Sequence, residues 1–138
     1  MKIRELMQPN VITISEDTLA KDAYELMRTH GLRHLPVVNR ENQLAGIVSD
    51  RDILNVAVIF KKNPQSPEEY LIDDKLKARD VMTAEPATVS PDHDLGQALD
   101  LILSLAISSL PVIEGGKLVG IVTSTDMLLL LKKLSKSL

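Results

Sequence analysis

Two short segments of the chain combine a strand-to-helix turn with side chains suited to binding a sugar phosphate. Gly-Ile-Val-Ser-x-x-Asp occupies residues 46–52, and Gly-Ile-Val-Thr-x-x-Asp occupies residues 120–126. The apolar run predicts a strand, and the hydroxyl residue begins a helix whose free N–H groups can bind a phosphate. The Asp can accept hydrogen bonds from ribose hydroxyls, as acidic residues do in dinucleotide folds. The same spacing is also typical of a helix capping box, so a purely structural interpretation stays open.

These turns belong to an internal repeat that covers most of the chain. Lys-Ile-Arg-Glu-Leu-Met at 2–7 matches Lys-Ala-Arg-Asp-Val-Met at 77–82, and Leu-Pro-Val-Val at 35–38 matches Leu-Pro-Val-Ile at 110–113. Both matches lie at an offset of 75, and a single deletion changes the offset to 74 for the two turns. One copy is too short to bury enough surface alone, so we predict that the two copies pack together.

The repeat predicts the domain organisation: a first repeat at 1–60, a linker at 61–75 with two prolines, and a second repeat at 76–138. Each repeat is predicted to have the order β-α-β-β-α, a small sheet with helices packed on it. The elements are predicted at 11–14, 19–30, 35–38, 44–48 and 50–60 in the first repeat, and at 86–89, 95–105, 110–113, 118–122 and 124–133 in the second. Ser15, Glu16 and Asp17 are expected to cap the first helix, and Gly31 to end it.

In order and twice over, these motifs resemble tandem CBS (cystathionine β-synthase-type) domains. They are a leading Met, Thr-x-Ser, Leu-Pro-Val and Gly-h-h-Ser/Thr-x-x-Asp, where h is apolar. The first copy, at 31–38 and 49–52, also resembles the acetoin-utilisation branch. The resemblance implies an α/β (α+β) fold of two β-α-β-β-α repeats packed as a pseudo-two-fold pair. It implies a stand-alone regulatory protein, not an enzyme, that binds AMP, ADP, ATP or S-adenosylmethionine in the cleft between the repeats.

The resemblance also assigns ligand-binding residues in both copies. For the phosphate and ribose it implies Ser49, Arg51 and Asp52 in the first copy, and Thr123, Thr125 and Asp126 in the second. Ile47 and Ile121 pack on the base, and Arg33 contacts a phosphate with His34 adjacent. Across the repeats, Thr18 and Ala23 are implied to join Asp126, and His93 and Ala98 to join Asp52. Because Ser108-Ser109 replace Arg33-His34 and Thr125 replaces Arg51, the second site has fewer charges for phosphates, and we expect it to be weaker, empty or adapted to a less charged ligand.

Composition argues against several other functions. The net charge is −3, and the aromatic residues are limited to two Tyr and one Phe, so neither a basic surface nor base stacking favours nucleic-acid binding. There is no Cys, which excludes disulfides and thiolate nucleophiles. No apolar run is long enough to span a membrane. We therefore expect a cytoplasmic protein with neither nucleic-acid nor membrane partners.

Catalytic and metal-binding motifs are not apparent. The chain contains no HExxH, P-loop or nucleophile elbow, and we predict neither enzymatic activity nor a cofactor. Asp92-His93-Asp94 resembles a set of metal ligands, but we expect Asp92 to cap the next helix, His93 to be exposed, and no metal to bind.

Association with other proteins is the remaining expectation. The apolar run 127–131 in the last helix is either core or a dimer surface, and we expect a homodimer through the helices of the two repeats, with an unknown regulated protein. The alternative function is a ligand-independent interaction or dimerisation scaffold whose turns only cap helices.

Overall fold

Each repeat begins with a leading segment, residues 1–11 in the first repeat and 76–85 in the second. The strands and helices of each repeat pack with the leading segment of the other repeat. The structure, a computed structural model, describes residues 1–137; Leu138, the end of the predicted second repeat, lies outside the described residues. Unit A comprises Ile12–Arg40 and Leu44–Glu85. Unit B comprises Met1–Val11, Glu41–Gln43 and the chain from Pro86 onward. The segments before the first strand of the two repeats are therefore exchanged between the units.

The elements of unit A are α1 (Ala20–His30), β1 (His34–Val38), β2 (Leu44–Ser49), α2 (Asp50–Leu54), β3 (Val58–Phe60), β4 (Glu69–Leu71), α3 (Ala78–Val81) and β5 (Thr83–Ala84). They form an antiparallel sheet with the strand order β1-β2-β5 and a separate hairpin of β3 and β4. Helix α1 buries Ala20, Ala23 and Met27, which lie three and four residues apart and therefore share one face. Gly31 ends the helix with a φ of +64°, as predicted.

Unit B repeats this plan with a shorter sheet. Its elements are a 3-10 helix (Ile3–Glu5), α4 (Leu95–Leu105), β6 (Ser109–Glu114), β7 (Lys117–Thr123) and α5 (Ser124–Ser135). Gln8 forms a β-bridge with Ile121, in the place that β5 takes beside β2 in unit A. The core contains Ile3 from the leading segment together with Ala98, Leu110 and Val122. The exchanged segment is thus part of the hydrophobic core.

A close approach between a glycine and a methionine explains two of the repeated motif positions. A Cβ added to Gly46 would lie 2.6 Å from Met82 Sδ and 2.7 Å from the Thr83 carbonyl oxygen. A Cβ added to Gly120 would lie 2.7 Å from Met7 Sδ. The leading Met of one repeat therefore covers the glycine of the other repeat's strand, and only a residue without a side chain fits beneath it.

Equivalent ion pairs hold both exchanged segments. Arg4 donates to Asp92 at 2.8 Å and to Glu114 at 3.3 Å, and its hydrogen bond holds the pKa of the Asp92 carboxyl below the usual value. In unit A, Arg79 pairs with Asp17, which also lies 3.6 Å from Lys77 Nζ. These charges are exposed and screened by solvent. Burial of Ile3 and Ala78 is therefore the stronger anchor.

The sheet strands, the two long helices and the α+β class are confirmed, but some predicted elements are wrong. The helix predicted at 50–60 ends at Leu54, and the β-branched and aromatic residues that follow form β3, which pairs with β4 inside the predicted linker. The strands predicted at 11–14 and 86–89 reduce to single bridges, Ile14 with Val37 and Val89 with Val112.

The two predicted helix caps are also wrong. Leu19, rather than a residue of 15–17, is the N-cap residue of α1, because Ser15 forms its own turn with Thr18. Asp92 pairs with Arg4, and the N-cap residue of α4 is instead Asp94, whose N–H donates to the Gln97 side chain at 2.9 Å.

Candidate functional site

The strand register of unit A brings the residues before β1 next to the turn after β2. His34 is the cross-strand partner of Ser49, and the Asp50 N–H donates to the Arg33 carbonyl at 3.0 Å. Residues that are fifteen or more positions apart in the sequence therefore meet at one edge of the sheet. The structure brings Arg33, His34, Ile47, Ser49, Arg51 and Asp52 together at this edge.

A reciprocal pair of hydrogen bonds shapes the turn. The Ser49 N–H donates to Asp52 Oδ2 at 2.8 Å, and the Asp52 N–H donates to Ser49 Oγ at 3.1 Å. This is the capping box that the spacing allowed. The capping box uses only Oδ2 of the Asp52 carboxylate. The other oxygen, Oδ1, accepts no hydrogen bond from residues 1–137. The cap and a ligand are therefore compatible at the same residue, because each requires a different oxygen.

Arginine side chains provide positive charge beside this turn. Arg33 and Arg51 are both exposed, and neither forms a salt bridge with any residue in 1–137. Helix α2 has only five residues, so its dipole is small compared with that of a long helix. Attraction of a phosphate to this edge would therefore come mainly from the two guanidinium groups.

Unit B has the same backbone arrangement with different side chains. Ser109 is the cross-strand partner of Thr123, and the Ser124 N–H donates to the Ser108 carbonyl at 2.9 Å. The Thr123 N–H donates to Asp126 Oδ2 at 2.9 Å, which repeats the capping box.

The second carboxylate oxygen distinguishes the two turns. Gln8 Nε2 donates to Asp126 Oδ1 at 3.3 Å, whereas the equivalent oxygen of Asp52 is open. With Thr125 in place of Arg51 and serines in place of Arg33-His34, the unit B turn has less charge and a carboxylate that is already engaged. The two turns are therefore not equivalent as anion sites.

The leading segments contribute residues that our sequence analysis missed. Thr83 on β5 is the cross-strand partner of Ile47, and Gln8 is bridged to Ile121, so each lies beside a residue assigned to the base. The repeat offset contained the signal, since Gln8 and Thr83 follow Met7 and Met82 at the same spacing of 75. Finding them required knowing which segment pairs with β2 and β7.

The other four assigned residues are those that the resemblance implies join the turn of the other repeat, and their contacts within their own units are as follows. Ala23 and Ala98 are completely buried in the cores of units A and B, so their side chains offer no surface to a ligand. Thr18 Oγ1 accepts from the Ser15 N–H at 3.1 Å, and His93 Nδ1 accepts from the Ser90 N–H at 3.0 Å. His93 is exposed, as predicted.

Unit A also contains an open groove at the other end of β1. Its volume is about 850 Å³, and its charged lining includes the Asp17–Arg79 pair. Of the assigned residues only Thr18 borders it; the lining is Thr13, Ile14, Ser15, Glu16, Asp17, Thr18, Asp22, Leu26, Val38, Asn39, Arg40 and Arg79. The groove is distinct from the Ser49–Asp52 turn, because none of its lining residues belongs to that turn.

His34 is half-buried, and this burial lowers its pKa, although Asp50 and Asp52 oppose the shift. The unfolded chain binds the proton at a pH of about 6.5. The contribution of neutral His34 is therefore fully present above that pH and is lost as the pH falls through the lower folded-state pKa. We expect the melting temperature of the wild type to fall more steeply below pH 6.5 than that of His34→Ser. His30→Ser, at an exposed helix end, is the control, and coincident pH profiles of wild type and His34→Ser would contradict the prediction.

Residues 1–137 contain neither a cluster of metal-binding side chains nor a helix that could span a membrane. No group of three or more His, Cys, Asp or Glu side chains is arranged to hold a metal ion. Every described helix is too short or too polar to cross a lipid bilayer.

Relatives identified by sequence match almost the whole chain. An uncharacterized protein from Methanocaldococcus jannaschii is 36% identical over 94% of this chain, and a CBS domain-containing protein from Dictyostelium discoideum is 32% identical over 95%. The match spans 42% of the first relative and 91% of the second. Inosine-5'-monophosphate dehydrogenase from M. jannaschii is 31% identical over 92% of this chain, but only 23% of the enzyme is matched.

Solved structures with the same fold cover almost the whole chain. A putative acetoin utilization protein from Vibrio cholerae superimposes with a TM-score of 0.79 and 26% identity, covering 99% of this chain and 93% of that one. The CBS domain pair of protein MJ0100, solved with 5'-methylthioadenosine and S-adenosylmethionine, gives 0.80 at 23% identity and covers 96% and 97% of the two chains. CBSX2 in complex with AMP gives 0.78 at 24% identity over 96% and 97%.

The family assignment rests on both repeats. The family model for the CBS domain matches residues 3–59 and again residues 78–133. These two matches include the leading segments, both turns and all strands of the two sheets that contain β1 and β6. The chain therefore belongs to the CBS domain family, as a tandem pair of repeats.

Proposed function

We propose that this chain is a non-catalytic regulatory module that binds an adenosine-containing ligand: AMP, ADP, ATP or S-adenosylmethionine. One observation carries the proposal: the unit A edge combines an open carboxylate oxygen on Asp52 with the exposed guanidinium groups of Arg33 and Arg51. The carboxylate suits the two hydroxyls of a ribose, and the arginines suit a phosphate or carboxylate.

The solved CBS pairs support the ligand class. The MJ0100 pair contains 5'-methylthioadenosine and S-adenosylmethionine, and CBSX2 contains AMP. The ligands share an adenosine moiety and differ in charge, which supports a site that provides an acceptor for the ribose. For this chain we propose Ile47 and Thr83 as the neighbours of the base, since they are paired directly beside the turn.

The unit A turn is proposed as the principal site. Asp126 already accepts from Gln8, and the unit B turn has no arginine. A nucleotide there lacks both a charge partner for its phosphate and an unengaged carboxylate for its ribose. The unit B turn is proposed to bind more weakly or to accept a less charged adenosine ligand.

A scaffold without a ligand is the second candidate function. The intact capping boxes at Asp52 and Asp126 favour it, because both turns are already complete as helix caps. In that case the module acts through protein contacts alone, and its stability is independent of nucleotides.

A thermal-shift panel distinguishes the two functions. At ligand concentrations a hundredfold above the dissociation constant, we expect stabilisation of about 2.7 kcal/mol, seen as a raised melting temperature, because the ligand binds only the native state. AMP, ADP, ATP and S-adenosylmethionine form the panel, with adenine and ribose 5-phosphate as part-ligand controls, and isothermal titration gives the affinities. If none of the four shifts the melting temperature at millimolar concentration, the chain is the scaffold.

A further inference from the structure

The side chain of Gln8 contacts the carboxylate of the unit B turn from outside that turn. Its Nε2 donates to Asp126 Oδ1 at 3.3 Å. An ionised carboxylate only accepts hydrogen bonds, so the glutamine must present its NH2 group to it. The other oxygen, Asp126 Oδ2, accepts from the Thr123 N–H at 2.9 Å and from Thr123 Oγ1 at 3.1 Å. Both oxygens of this carboxylate are therefore engaged within unit B.

The backbone of Gln8 holds this side chain beside the turn. The Gln8 N–H donates to the Ile121 carbonyl at 2.9 Å, and the Ile121 N–H donates to the Gln8 carbonyl at 3.1 Å. Both hydrogen bonds use main-chain atoms, so they do not depend on the side chain at residue 8. Gln8 is exposed and is not part of the hydrophobic core of unit B. A substitution at residue 8 therefore changes the contact with Asp126 and leaves the core packing intact.

Thr83 is the equivalent residue of unit A. It is the antiparallel partner of Ile47 on β2, which is the register that Gln8 has on β7. Its hydroxyl is attached directly to Cβ, whereas the amide of a glutamine lies at the end of a longer side chain. Within residues 1–137, Thr83 forms no hydrogen bond with Asp52, which uses only Oδ2 in its capping box. The two turns therefore differ at one position that the repeat makes directly comparable.

A ribose reaches the Asp126 carboxylate only in competition with Gln8. A carboxylate has about four acceptor positions. At Asp126, Thr123 occupies two of them and Gln8 a third, so two ribose hydroxyls must displace the amide. That displacement breaks an intramolecular hydrogen bond to a charged group. At Asp52 the Ser49 N–H occupies one position, and two hydroxyls fit without displacing a protein group.

We propose that residue 8 decides whether the unit B turn accepts a ribose: Gln8 competes with the ligand for Asp126, whereas Thr83 leaves the unit A turn open. The inference rests on the proposed function and assigns part of the difference between the two turns to one side chain. It also separates two causes of weak binding in unit B. The missing arginines affect ligands that carry a phosphate, whereas the Gln8 contact affects every ligand with a ribose, including uncharged adenosine.

Isothermal titration with adenosine, which has a ribose but no phosphate, tests the unit B turn. The titrations use the Asp52→Asn background, in which the unit A turn is weakened. Gln8→Met keeps the approximate length of the side chain and removes the donor, so we expect adenosine to bind about tenfold more tightly. Gln8→Thr copies the residue of unit A and should give the same gain. The control ligand is 2',3'-dideoxyadenosine, which lacks both ribose hydroxyls and should gain nothing.

Thr83→Gln is the reciprocal variant, made in the otherwise wild-type chain. Only the glutamine can donate to Asp52 Oδ1, so we expect Thr83→Gln to bind AMP about tenfold more weakly than Thr83→Met does. The two variants replace the same exposed residue with side chains of similar length. Their difference therefore measures the hydrogen bond and not the change of size.

Tighter adenosine binding by both Gln8 variants, with no gain for 2',3'-dideoxyadenosine and weaker AMP binding by Thr83→Gln, supports the proposal. Adenosine affinity that neither Gln8 variant raises overturns it, and so does equal AMP affinity of Thr83→Gln and Thr83→Met. A gain that 2',3'-dideoxyadenosine shares also overturns it, because the ribose hydroxyls are then not the cause. These three outcomes leave the proposed function standing. A wild type that binds neither adenosine nor AMP at millimolar concentration contradicts the proposed function and this inference with it.

Discussion

Asp52→Asn is expected to weaken binding of AMP by about 1.5–3 kcal/mol, the range for hydrogen bonds to a charged group. This corresponds to a loss of affinity of roughly ten- to a hundredfold. The amide is nearly isosteric with the carboxylate and keeps one oxygen to accept from the Ser49 N–H, which now lies at 2.8 Å from Asp52 Oδ2. What is lost is the negative charge and the second acceptor that a ribose requires. Isothermal titration of both proteins with AMP measures the difference.

Asp126→Asn is the matched control for this substitution. It has the same chemistry at the equivalent position, but its Oδ1 accepts from Gln8 at 3.3 Å, and no arginine lies within the turn. A smaller loss of AMP affinity is expected there.

Stability without ligand separates binding from capping. Both substitutions should change the melting temperature of the free protein only slightly, since the capping hydrogen bonds persist. If Asp52→Asn leaves AMP affinity unchanged and lowers the melting temperature, the turn is a helix cap and the site assignment is wrong.

Gly46→Ala is expected to destabilise the fold by about 1–3 kcal/mol, as overpacking of a filled interior does. The new Cβ would lie 2.7 Å from the Thr83 carbonyl oxygen, a backbone atom that cannot move without disturbing the pairing of β2 with β5. It would also lie 2.6 Å from Met82 Sδ, which is the more movable neighbour. Urea unfolding monitored by circular dichroism measures the loss.

Two further variants show whether the close approach is the cause. Gly96→Ala places a methyl group in helix α4 where no atom lies within 4 Å, so it should leave stability unchanged or raise it by about 0.5–1 kcal/mol. Adding Met82→Ala to Gly46→Ala removes the sulfur contact but not the carbonyl contact, and only partial recovery is expected. Equal stability of Gly46→Ala and wild type would refute the packing argument.

Local structural features could be predicted from the sequence because they depend on residues that are close together in the chain. The continuous apolar runs of β1 and β2, the helical spacing of Ala23 and Met27, and Gly31 at the helix end all predicted elements that the structure contains. The turn at 46–52 was predictable for the same reason, since Ser49 and Asp52 are only three residues apart. The duplication then placed a second turn of the same type at 120–126.

Contacts between distant segments were decided by the tertiary structure. Thr83 lies beside Ile47, and Gln8 beside Asp126, because each leading segment packs on the body of the other repeat. Ala23 and Ala98 were assigned to a ligand by resemblance, yet both lie in the cores of their units. Apolar periodicity shows which face of an element is buried but not which segment covers it, so these residues could be placed only from the packed chain.

The segment after α2 shows most clearly the difference between what local sequence predicts and what long-range pairing decides. Residues 55–60 suit a short helix or a strand, and local propensity alone does not choose between them. Residues 58–60 form a strand because they pair with β4, which follows after an eight-residue connection. The repeated motif therefore determined the family, the element order and the two turns by local chemistry. Long-range burial and pairing determined the exchange of leading segments, the hairpin and the difference between Asp52 and Asp126. Such contacts stabilise the fold only after distant parts of the chain have come together.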